Sequence, residues 1–388
     1  MARLLPSEST ALEVVAREVG IGAGTLEGHR CGSGNATICL SSWRALRHRA
    51  SRPMCRRADL FPYNPWALAV QSALSRAVLR KHMTRAVLRR WRSVLATLTI
   101  CAGAVMAQEP ESAALRKIRD TGVVTLGHRT ESVPFSYFDA RRRPVGYSMD
   151  ICQSVVDAIR LRLGQPEIEV RLVPVTSATR LPMLAIGTVD LECGVTTNTV
   201  ERQKLVAFSV TTFVAASRLL SKKSAEIFTI DDLRGQSVAT TLSTTSIQYL
   251  TAVNQSRSLD MRILAGADDQ DAFLMVRNDH AVAFAMDDVL LRALLATAPD
   301  AANYRISDAA LTTEPYAIGI VPNDPVFKQL VDGVIVGLYR SGKIRDIYKK
   351  WFESTIPLRN INLHMPMNEQ LKQVIAQPTD SADPAHYR

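Results

Sequence analysis

The sequence predicts an α/β protein with two lobes and a ligand cleft between them. The first observation is an alternation of strand and helix patterns, in the order βαβαβ, that begins near Glu111. The second is that an alternation of the same kind starts again near Arg218. Such alternation favours open sheets flanked by helices, and these sheets bind ligands beyond the carboxyl ends of their strands.

The elements of the first unit follow from apolar spacing and from glycines. The segment SAALRKIRDT predicts a short helix that Gly122 ends, and VVTLGH predicts the strand after it. MDICQSVVDAIRLRL is amphipathic and predicts a helix that Gly164 ends. The strand EIEVRLVPV, the helix LPMLAIG and the strand VDLECG complete this unit.

The second unit repeats the pattern with polar caps. DDLRG predicts a turn, SVATTL a strand, and TTSIQYLTAV a helix that starts behind Ser and Thr. MRILAG, DDQDAFLMVR and AVAFAM predict strand, helix and strand. Beyond Asn303 the sequence predicts further strands, including YAIGIVP, and a long helical finish from Asp324 to Phe352. The tail after Pro357 is polar, and we expect it to lie on the surface.

The positive charge of the chain is confined to its first part. The net charge is +10, but residues 1–107 hold sixteen Arg and Lys against five Asp and Glu. Residues 108–388 are therefore close to neutral, with about one net negative charge. A nucleic-acid partner is not expected, because such a partner would need a basic patch on the body of the protein.

The basic region ends in a pattern typical of a secretory signal peptide. Four arginines lie between Arg85 and Arg92, and the uncharged run Ser93–Ala104 follows them. After this run, Val105-Met106-Ala107 resembles a cleavage site. The uncharged run is shorter than the roughly 20 residues that span a bilayer. A retained anchor and a lipoprotein acylated at Cys101 are the alternatives. We expect export to the periplasm from a start near Met83.

Residues 1–82 show no convincing periodicity. A signal peptide normally stands at a chain start, so we infer that Met83 begins the protein and that residues 1–82 are an upstream extension outside it. The alternative is a disordered basic leader.

Catalytic and metal-binding motifs are absent from the sequence. There is no G-x-S-x-G elbow, phosphate-binding loop, dinucleotide fingerprint or H-E-x-x-H, and no Cys/His cluster has metal-ligand spacing. We expect neither an enzyme nor a cofactor or metal. Beyond Ala107 only Cys152 and Cys193 remain, and this pair is compatible with one disulfide or with two buried free thiols.

Polar residues cluster at the predicted junctions between strands and helices. A guanidinium suits an α-carboxylate, a helix N-terminus adds N–H donors, and a carboxylate can bind an α-ammonium, so together they suit an amino acid. The residues are Arg129, Ser177, Arg180, Thr196, Thr197, Arg202, Thr244, Thr245, Ser246, Asp287 and Asp288.

Each of these residues also has a structural explanation. Asn198 and Glu201 fit a capping box, and Thr244–Ser246 are ordinary helix caps. Arg129 and Arg180 fit surface ion pairs, which contribute roughly 0–1 kcal/mol.

Longer stretches resemble a known family. GHRTESVPFSYFD, VGYSMDICQSVVDAI and VTSATRLPMLAIGTVDLECGVTTNTVERQKLVAFS, followed in order by SRLLSKK, DDLRG, TTS and AFAMDDVLL, are similar to the periplasmic amino-acid-binding proteins of ABC importers. The similarity is to the glutamate/aspartate branch of solute-binding protein family 3. It covers the chain from Ala113 to the C-terminus and implies the two-lobed periplasmic-binding-protein fold with two hinge strands.

The resemblance also implies roles for individual residues. Arg202 would bind the α-carboxylate beside Thr197, and Asp287 would bind the α-ammonium. Arg129, Ser177 and Arg180 would receive the side-chain carboxylate of the ligand. A contact from the second lobe would come from the hydroxyl of Thr245.

Two positions differ from the glutamate/aspartate branch. Val195 stands where that branch has serine, and Asp269 stands where it has histidine. A carboxylate near the ligand's own carboxylate is unfavourable unless Asp269 is protonated or paired, because like charges at about 4 Å repel by about 1 kcal/mol in water and by more in a dry cleft. There are two alternatives. In the first, the specificity has shifted toward glutamine, asparagine or another polar ligand. In the second, the backbone supplies the lost hydrogen bonds and the specificity for acidic amino acids persists.

We therefore expect a monomeric binding protein that delivers glutamate, aspartate or a related amino acid to an inner-membrane ABC permease. The alternatives are a cleft enzyme such as a cyclohexadienyl-type dehydratase, with Asp269 or Asp287 as general acid, and a membrane-tethered sensor domain. The hinge strands would lie around Phe213–Leu220 and Tyr304–Ile320. The expected parts are the extension (1–82), the signal peptide (83–107), lobe 1 (108–214 and 312–356), lobe 2 (215–311) and the tail (357–388).

Overall fold

The structure, a computed structural model, describes residues 111–356 and 360–387 of the 388-residue chain. The predicted signal peptide at residues 83–107 and the extension at residues 1–82 lie outside the described residues. Within the described residues, no helix is long and apolar enough to cross a membrane.

Fourteen strands appear in the described residues, and most are short. They are β1 (Val123–His128), β2 (Glu131–Ser132), β3 (Ser136–Phe138), β4 (Pro144–Val145), β5 (Glu169–Pro174), β6 (Leu191–Glu192), β7 (Ala207–Phe208), β8 (Phe213–Lys222), β9 (Ser237–Thr241), β10 (Arg262–Gly266), β11 (Ala283–Asp287), β12 (Tyr304–Ile306), β13 (Thr312–Tyr316) and β14 (Gly319–Ile320).

Ten α-helices accompany these strands. They are α1 (Ala113–Thr121), α2 (Tyr147–Leu163), α3 (Arg180–Ala185), α4 (Val200–Gln203), α5 (Thr245–Arg257), α6 (Asp269–Arg277), α7 (Asp288–Thr297), α8 (Pro325–Arg340), α9 (Lys343–Tyr348) and α10 (Glu369–Ala376).

The strands form two main sheets, as the two alternating units predicted. The first sheet has the order β5-β1-β6-β14-β7, in which β1 pairs in parallel with β5 and β6, whereas β14 is antiparallel to its neighbours. The second has the order β10-β9-β11-β8-β12, with β13 also paired to β8. A separate small sheet contains β2, β3 and β4.

Local sequence explains where the helices of the first unit begin and end. The hydroxyl of Ser112 accepts a hydrogen bond from the backbone N–H of Leu115 and caps α1. Gly122 ends that helix at φ 68°, and Gly164 ends α2 at φ 64°, in the left-handed conformation that glycine adopts without steric cost. The predicted apolar face of α2 is buried at Ile151, Val155 and Ile159, while Ala158 and Leu163 are half-buried.

The chain crosses between the two sheets through β8 and β13. These strands pair with each other in antiparallel register, from Thr312 opposite Ser217 to Tyr316 opposite Phe213. After Tyr316 the chain enters β14 of the first sheet. The predicted strand region Tyr304–Ile320 is thus three separate strands rather than one crossover, because Ser307–Leu311 leaves the ladder.

An aromatic cluster packs around the start of β8. Phe213 stacks on Phe352 with ring centroids 5.1 Å apart, and Phe352 stacks on Tyr348 at 4.4 Å. Phe135 meets Phe213 edge-on at 4.9 Å. Aromatic pairs of this kind contribute about 0.5–1.5 kcal/mol each beyond the burial of their area. The first crossover strand is therefore fixed firmly at its beginning.

A glycine divides the predicted helical finish into two helices. α8 ends at Arg340, Gly342 adopts φ 78°, and α9 starts at Lys343. A π-helical turn at Lys349–Glu353 then buries Trp351 and Phe352. The predicted helical finish from Asp324 to Phe352 therefore consists of two helices and a π-helical turn.

The expectation that the tail lies on the surface is wrong for three of its residues, which are buried. Residues after Pro357 contain α10, and Leu371, Val374 and Tyr387 belong to the hydrophobic core. The apolar residues of α10 lie at helical spacing within a mostly polar sequence, so mean polarity hides the buried stripe.

Candidate functional site

The carboxyl ends of β1, β6, β9 and β11 surround a small cavity of about 20 Å³. This volume is enough for about one water molecule. The lining residues come from both main sheets. They are Arg129, Ser177, Arg180, Val195, Thr197, Thr244, Thr245, Ser246, Asp269, Met286, Asp287 and Leu290.

Seven of the eight predicted binding residues line this cavity, and the eighth, Arg202, lies directly behind Thr197. The Nη1 atom of Arg202 donates a 2.8 Å hydrogen bond to the carbonyl oxygen of Thr197. The same backbone segment forms an isolated bridge from Thr197 to Tyr316 at the end of β13. The structure thus brings the predicted residues together.

The guanidinium groups of Arg129 and Arg180 are held by neighbours from the first sheet. Arg129 follows β1, and its Nη1 atom donates to the hydroxyl of Ser177 at 3.0 Å. Arg180 is the first residue of α3, and its Nη1 atom donates to the carbonyl oxygen of Val195 at 3.1 Å. Val195 therefore contributes a backbone acceptor, although its side chain has no hydroxyl.

All three arginines are buried, with exposed fractions of 7%, 3% and 6% for Arg129, Arg180 and Arg202. Burial, and after it the charge of Arg202, lowers the pKa of Arg180 to about 9, which leaves it charged at neutral pH. Burial also lowers the pKa of Arg202. Among the described residues, none of the ion pairs includes these arginines. The three guanidinium groups are therefore available as hydrogen-bond donors to a carboxylate.

The expected carboxylate, Asp287, ends β11 at the opposite wall. Its Oδ2 atom accepts a hydrogen bond from the hydroxyl of Tyr316, whereas its Oδ1 atom is buried without a hydrogen-bond partner. Burial, followed by the charge of Glu314, raises the pKa of Asp287 well above its usual range. A cationic group at this wall would satisfy the Oδ1 atom and stabilise the ionised form.

Glu314 explains the position of Thr245. The hydroxyl of Thr245 donates a 2.8 Å hydrogen bond to Glu314 Oε2, and the hydroxyl of Thr312 donates to the other carboxylate oxygen. Glu314 is only 2% exposed and comes from the crossover strand β13. Sequence reasoning missed it, because a single glutamate between threonine and proline gives no local sign of burial.

Asp269 is the first residue of α6 and lies where the small cavity meets a wider cleft of about 690 Å³. Its Oδ1 atom accepts a 2.6 Å hydrogen bond from the hydroxyl of Thr241, the last residue of β9. Burial raises the pKa of the Asp269 carboxyl above its usual range. Arg129 borders both spaces as well.

Glu192 is a second carboxylate that sequence reasoning missed. It is fully buried, and both of its carboxylate oxygens lack a hydrogen-bond partner. A Cβ atom at Gly194 would lie 2.1 Å from Glu192 Oε1, so any other residue there would require the Glu192 carboxylate to shift. The charge of Glu192 raises the pKa of both Arg180 and Arg202, which makes it a buried counter-charge to the cluster.

The helix cap near Arg202 differs by one residue from the prediction. Thr199, rather than Asn198, caps α4, and its hydroxyl accepts a hydrogen bond from the backbone N–H of Arg202 at 3.2 Å. Asn198 instead donates to the carbonyl oxygen of Asp380 in the tail. The predicted capping box with Glu201 is therefore wrong, because Asn198 forms a long-range bond. The predicted cap at Thr244 is confirmed for α5.

A disulfide joins Cys152 of α2 to Cys193, which directly follows β6. It fastens the segment Gly194–Thr197, which lines the cavity, to the buried face of α2. Among the described residues, no group of His, Cys, Asp and Glu could hold a metal ion. The side chains around the cavity thus carry the charges and hydrogen-bonding groups that a small zwitterion needs, although the cavity must widen to admit one.

Residues 124–354 match the profile of a family described as bacterial extracellular solute-binding proteins, family 3. The L-glutamate/L-aspartate-binding protein of Pseudomonas aeruginosa is 43% identical over 293 residues, which are 75% of this chain and 97% of that protein. The glutamate/aspartate import solute-binding protein of Escherichia coli is 39% identical over 76% of this chain and 99% of that protein.

Solved structures of amino-acid-binding proteins share the fold. A mutant of the arginine-binding protein of T. maritima is 27% identical, with a TM-score of 0.55 over 62% of this chain and 100% of that one. An ancestral amino-acid-binding protein, a precursor of cyclohexadienyl dehydratase, is 25% identical, with a TM-score of 0.53 over 62% and 99%. The two relatives that are 43% and 39% identical are binding proteins, which favours a binding function over the alternative of a cleft enzyme.

Proposed function

The chain belongs to family 3 of the bacterial extracellular solute-binding proteins, and from this we propose that it captures a polar amino acid outside the cytoplasm and delivers it to an ABC permease. The proposed ligands are glutamate and aspartate, with glutamine and asparagine as the related alternatives. The names of the relatives that are 39–43% identical support the acidic pair.

The observation that carries this proposal is that two buried guanidinium groups and the buried carboxylate of Asp287 line a single cavity, with the guanidinium of Arg202 directly behind Thr197. Arg202 binds the α-carboxylate beside Thr197, and Asp287 binds the α-ammonium. Arg129, Ser177 and Arg180 then bind the end of the ligand side chain. Bidentate contacts between a guanidinium and a carboxylate are among the strongest hydrogen bonds in proteins, so this arrangement fixes the orientation of the ligand.

The ligand also provides partners for two sets of buried charged groups. Its α-carboxylate neutralises part of the buried positive charge around Arg180 and Arg202, and its ammonium provides a partner for Asp287 Oδ1. A buried charge without a partner is costly, so each of these contacts adds to affinity.

Closure of the protein follows from the two crossovers. β8 and β13 connect the two sheets whose strand ends carry the binding residues, so a rotation about them separates Asp269 and Asp287 from the arginines. We propose that the ligand shifts an equilibrium between open and closed forms and that the permease recognises the closed form. The proposed lobes are residues 108–214 with 312–356, and residues 215–311.

The chain is exported in this account. Residues 83–107 serve as a signal peptide that is removed after Ala107, and the mature protein is a monomer in the periplasm. N-terminal sequencing of the secreted protein tests the cleavage site directly.

Calorimetric titration tests the proposed binding. The protein is unfolded and refolded to remove carried-over ligand and is then titrated with L-glutamate, L-aspartate, L-glutamine and L-asparagine. We expect a Kd in the micromolar range or below for at least one acidic amino acid.

Two arginine variants make the test specific to the cavity. Arg202→Ala should weaken binding at least about thirtyfold, because it removes one partner of a buried charge pair. Arg171→Ala removes the same charge from an exposed position of β5 and should leave the Kd unchanged. The proposal fails if none of the four amino acids binds, or if both variants weaken binding equally.

A further inference from the structure

The charges around the cavity are not balanced for an acidic ligand. The lining contains two guanidinium groups and two carboxylates, from Arg129, Arg180, Asp269 and Asp287. Behind the lining, Arg202 is buried together with the carboxylates of Glu192 and Glu314. A zwitterion with an amide side chain adds no net charge to this set of three cations and four carboxylates. An acidic amino acid adds one more negative charge, which is costly in a buried site.

Among these carboxylates, Asp269 is in the best position to lose its charge. It borders both the small cavity and the wider cleft and is only half-buried, so it can exchange a proton with solvent. The hydroxyl of Thr241 donates a hydrogen bond to the Oδ1 atom of Asp269. Asp287 is needed in ionised form for the α-ammonium and already accepts a bond from Tyr316, whereas Glu314 accepts two hydroxyl bonds.

The charged groups that face Asp269 come from several elements. Arg129 after β1 and Arg180 on α3 favour its ionised form, whereas Asp268 beside it opposes ionisation. Asp287 on β11 and Tyr316 on β13 also interact with its charge. The net effect of these groups and of burial is to raise the pKa of Asp269. Bringing a ligand carboxylate next to Arg129 and Arg180 takes part of their attraction away from Asp269 and favours its protonated form further.

We infer that Asp269 determines how the site treats acidic and amide side chains, because it takes up a proton when an acidic amino acid binds and stays ionised when an amide binds. This inference rests on the proposed function. The proton comes from solvent and forms an O–H bond on the Asp269 carboxyl. That O–H group donates a hydrogen bond to the side-chain carboxylate of the ligand. With an amide ligand, the ionised Asp269 instead accepts a hydrogen bond from the NH₂ group.

Proton uptake is measured by calorimetric titration in buffers of different ionisation enthalpy. The full chain is titrated with L-glutamate and L-glutamine, and in parallel with L-aspartate and L-asparagine. Every ligand brings the same α-ammonium to Asp287, so a proton released there cancels in the difference between acid and amide. We expect the protein to take up about one more proton when it binds the acidic ligand than when it binds the amide near neutral pH. The ratio of the Kd of the acid to the Kd of its amide should rise about tenfold per pH unit above the pKa of Asp269, because the proton released at Asp287 affects both ligands equally.

Two matched variants assign the proton. Asp269→Asn should remove the difference in proton uptake and make the ratio of the two Kd values independent of pH. Asp268→Asn removes the neighbouring charge and keeps a residue that can cap α6, and it should retain the difference.

The inference is overturned if the wild-type protein takes up equal numbers of protons with acid and amide, a result that depends on no variant. It is also overturned if folded Asp269→Asn protein keeps the difference. A failure of all four amino acids to bind at any pH would instead overturn the proposed function, and the inference with it.

Discussion

At the level of single residues, Asp287 has opposite effects on the stability of the fold and on ligand binding. Its carboxyl is buried, close to Glu314, and one of its oxygens lacks a partner. In a ligand-free protein this group is unfavourable when ionised, yet a binding site for an α-ammonium needs the ionised form. We therefore expect the residue to lower stability and to provide affinity.

A variant separates these two effects. Burial and Glu314 raise the pKa of Asp287 in the folded protein, so the folded form holds its proton to higher pH than the unfolded chain does, and stability falls as pH rises through that interval. Asp287→Asn should increase the free energy of unfolding of the ligand-free protein at neutral pH, by roughly 1–3 kcal/mol. The gain should vanish near pH 4, below the usual pKa of an aspartate, and amino-acid binding should be lost.

Urea denaturation at several pH values measures this difference. Asp288→Asn is the matched control, because Asp288 is hydrogen-bonded to the backbone of Ala216 and lies 3.7 Å from Arg218. That control should not stabilise the protein. A loss of stability in Asp287→Asn at neutral pH would contradict the account of this residue.

The predictable part of the site was the part placed by topology. Arg129, Arg180, Arg202 and Asp287 follow strands or start helices, and the carboxyl ends of strands meet at one face, so their positions could be inferred without coordinates. Glu192, Glu314 and Tyr316 lie within strands or at their ends, where alternation alone would place an ordinary core or surface residue. Their burial depends on contacts between distant segments, such as the pairing of Glu192 in β6 with Gly319 in β14.

At the level of elements, the disulfide determines how the cavity-lining segment is supported. Cys193 lies between β6 and Gly194, and its partner Cys152 lies 41 residues earlier in α2. The sequence left a disulfide and two free thiols equally open, because spacing does not report distance. The fold brings the two residues together, since α2 packs with its buried face toward the first sheet.

Reduction should therefore destabilise the protein. A crosslink across a loop of this length stabilises by roughly 2–4 kcal/mol, mainly by restricting the unfolded chain. We expect a reductant to lower the melting temperature of the wild-type protein and to weaken ligand binding, because Gly194–Thr197 loses its attachment. The double variant Cys152→Ala/Cys193→Ala should have the lower melting temperature from the outset and should not respond to reductant. Equal melting temperatures with and without reductant for the wild type would contradict this expectation.

At the level of the whole molecule, the C-terminal segment connects parts of the chain that the sequence pattern kept separate. Asn368 donates to the carbonyl oxygen of Val214, and the backbone N–H of Thr211 donates to the carbonyl oxygen of Thr379. The hydroxyl groups of Thr211 and Tyr387 are 2.7 Å apart. The segment thus packs against the start of β8, at one of the two crossovers. Its polar composition gave no sign of this role, because the bonds join residues more than 150 positions apart.

The contribution of this segment can be measured at one hydroxyl group. Tyr387 also donates to the carbonyl oxygen of Ser381 at 2.6 Å, so Tyr387→Phe removes the bonds of a buried hydroxyl. We expect a decrease of about 1–2 kcal/mol in the free energy of unfolding, measured in urea. Tyr249→Phe, at a half-buried position of α5, is the control and should change stability by less than about 0.5 kcal/mol. Similar losses in both variants would show that the tail bonds contribute nothing specific.

The central claim is that an amino acid binds in the cavity with its α-carboxylate at Arg202 and its α-ammonium at Asp287. A crystal structure of the refolded protein with L-glutamate, or with the amino acid that titrates best, tests this claim most directly. The account predicts a ligand enclosed between the two sheets, with its side chain directed to Arg129, Ser177, Arg180 and Asp269. A ligand bound in the reverse orientation, or bound outside this cavity, would contradict the account.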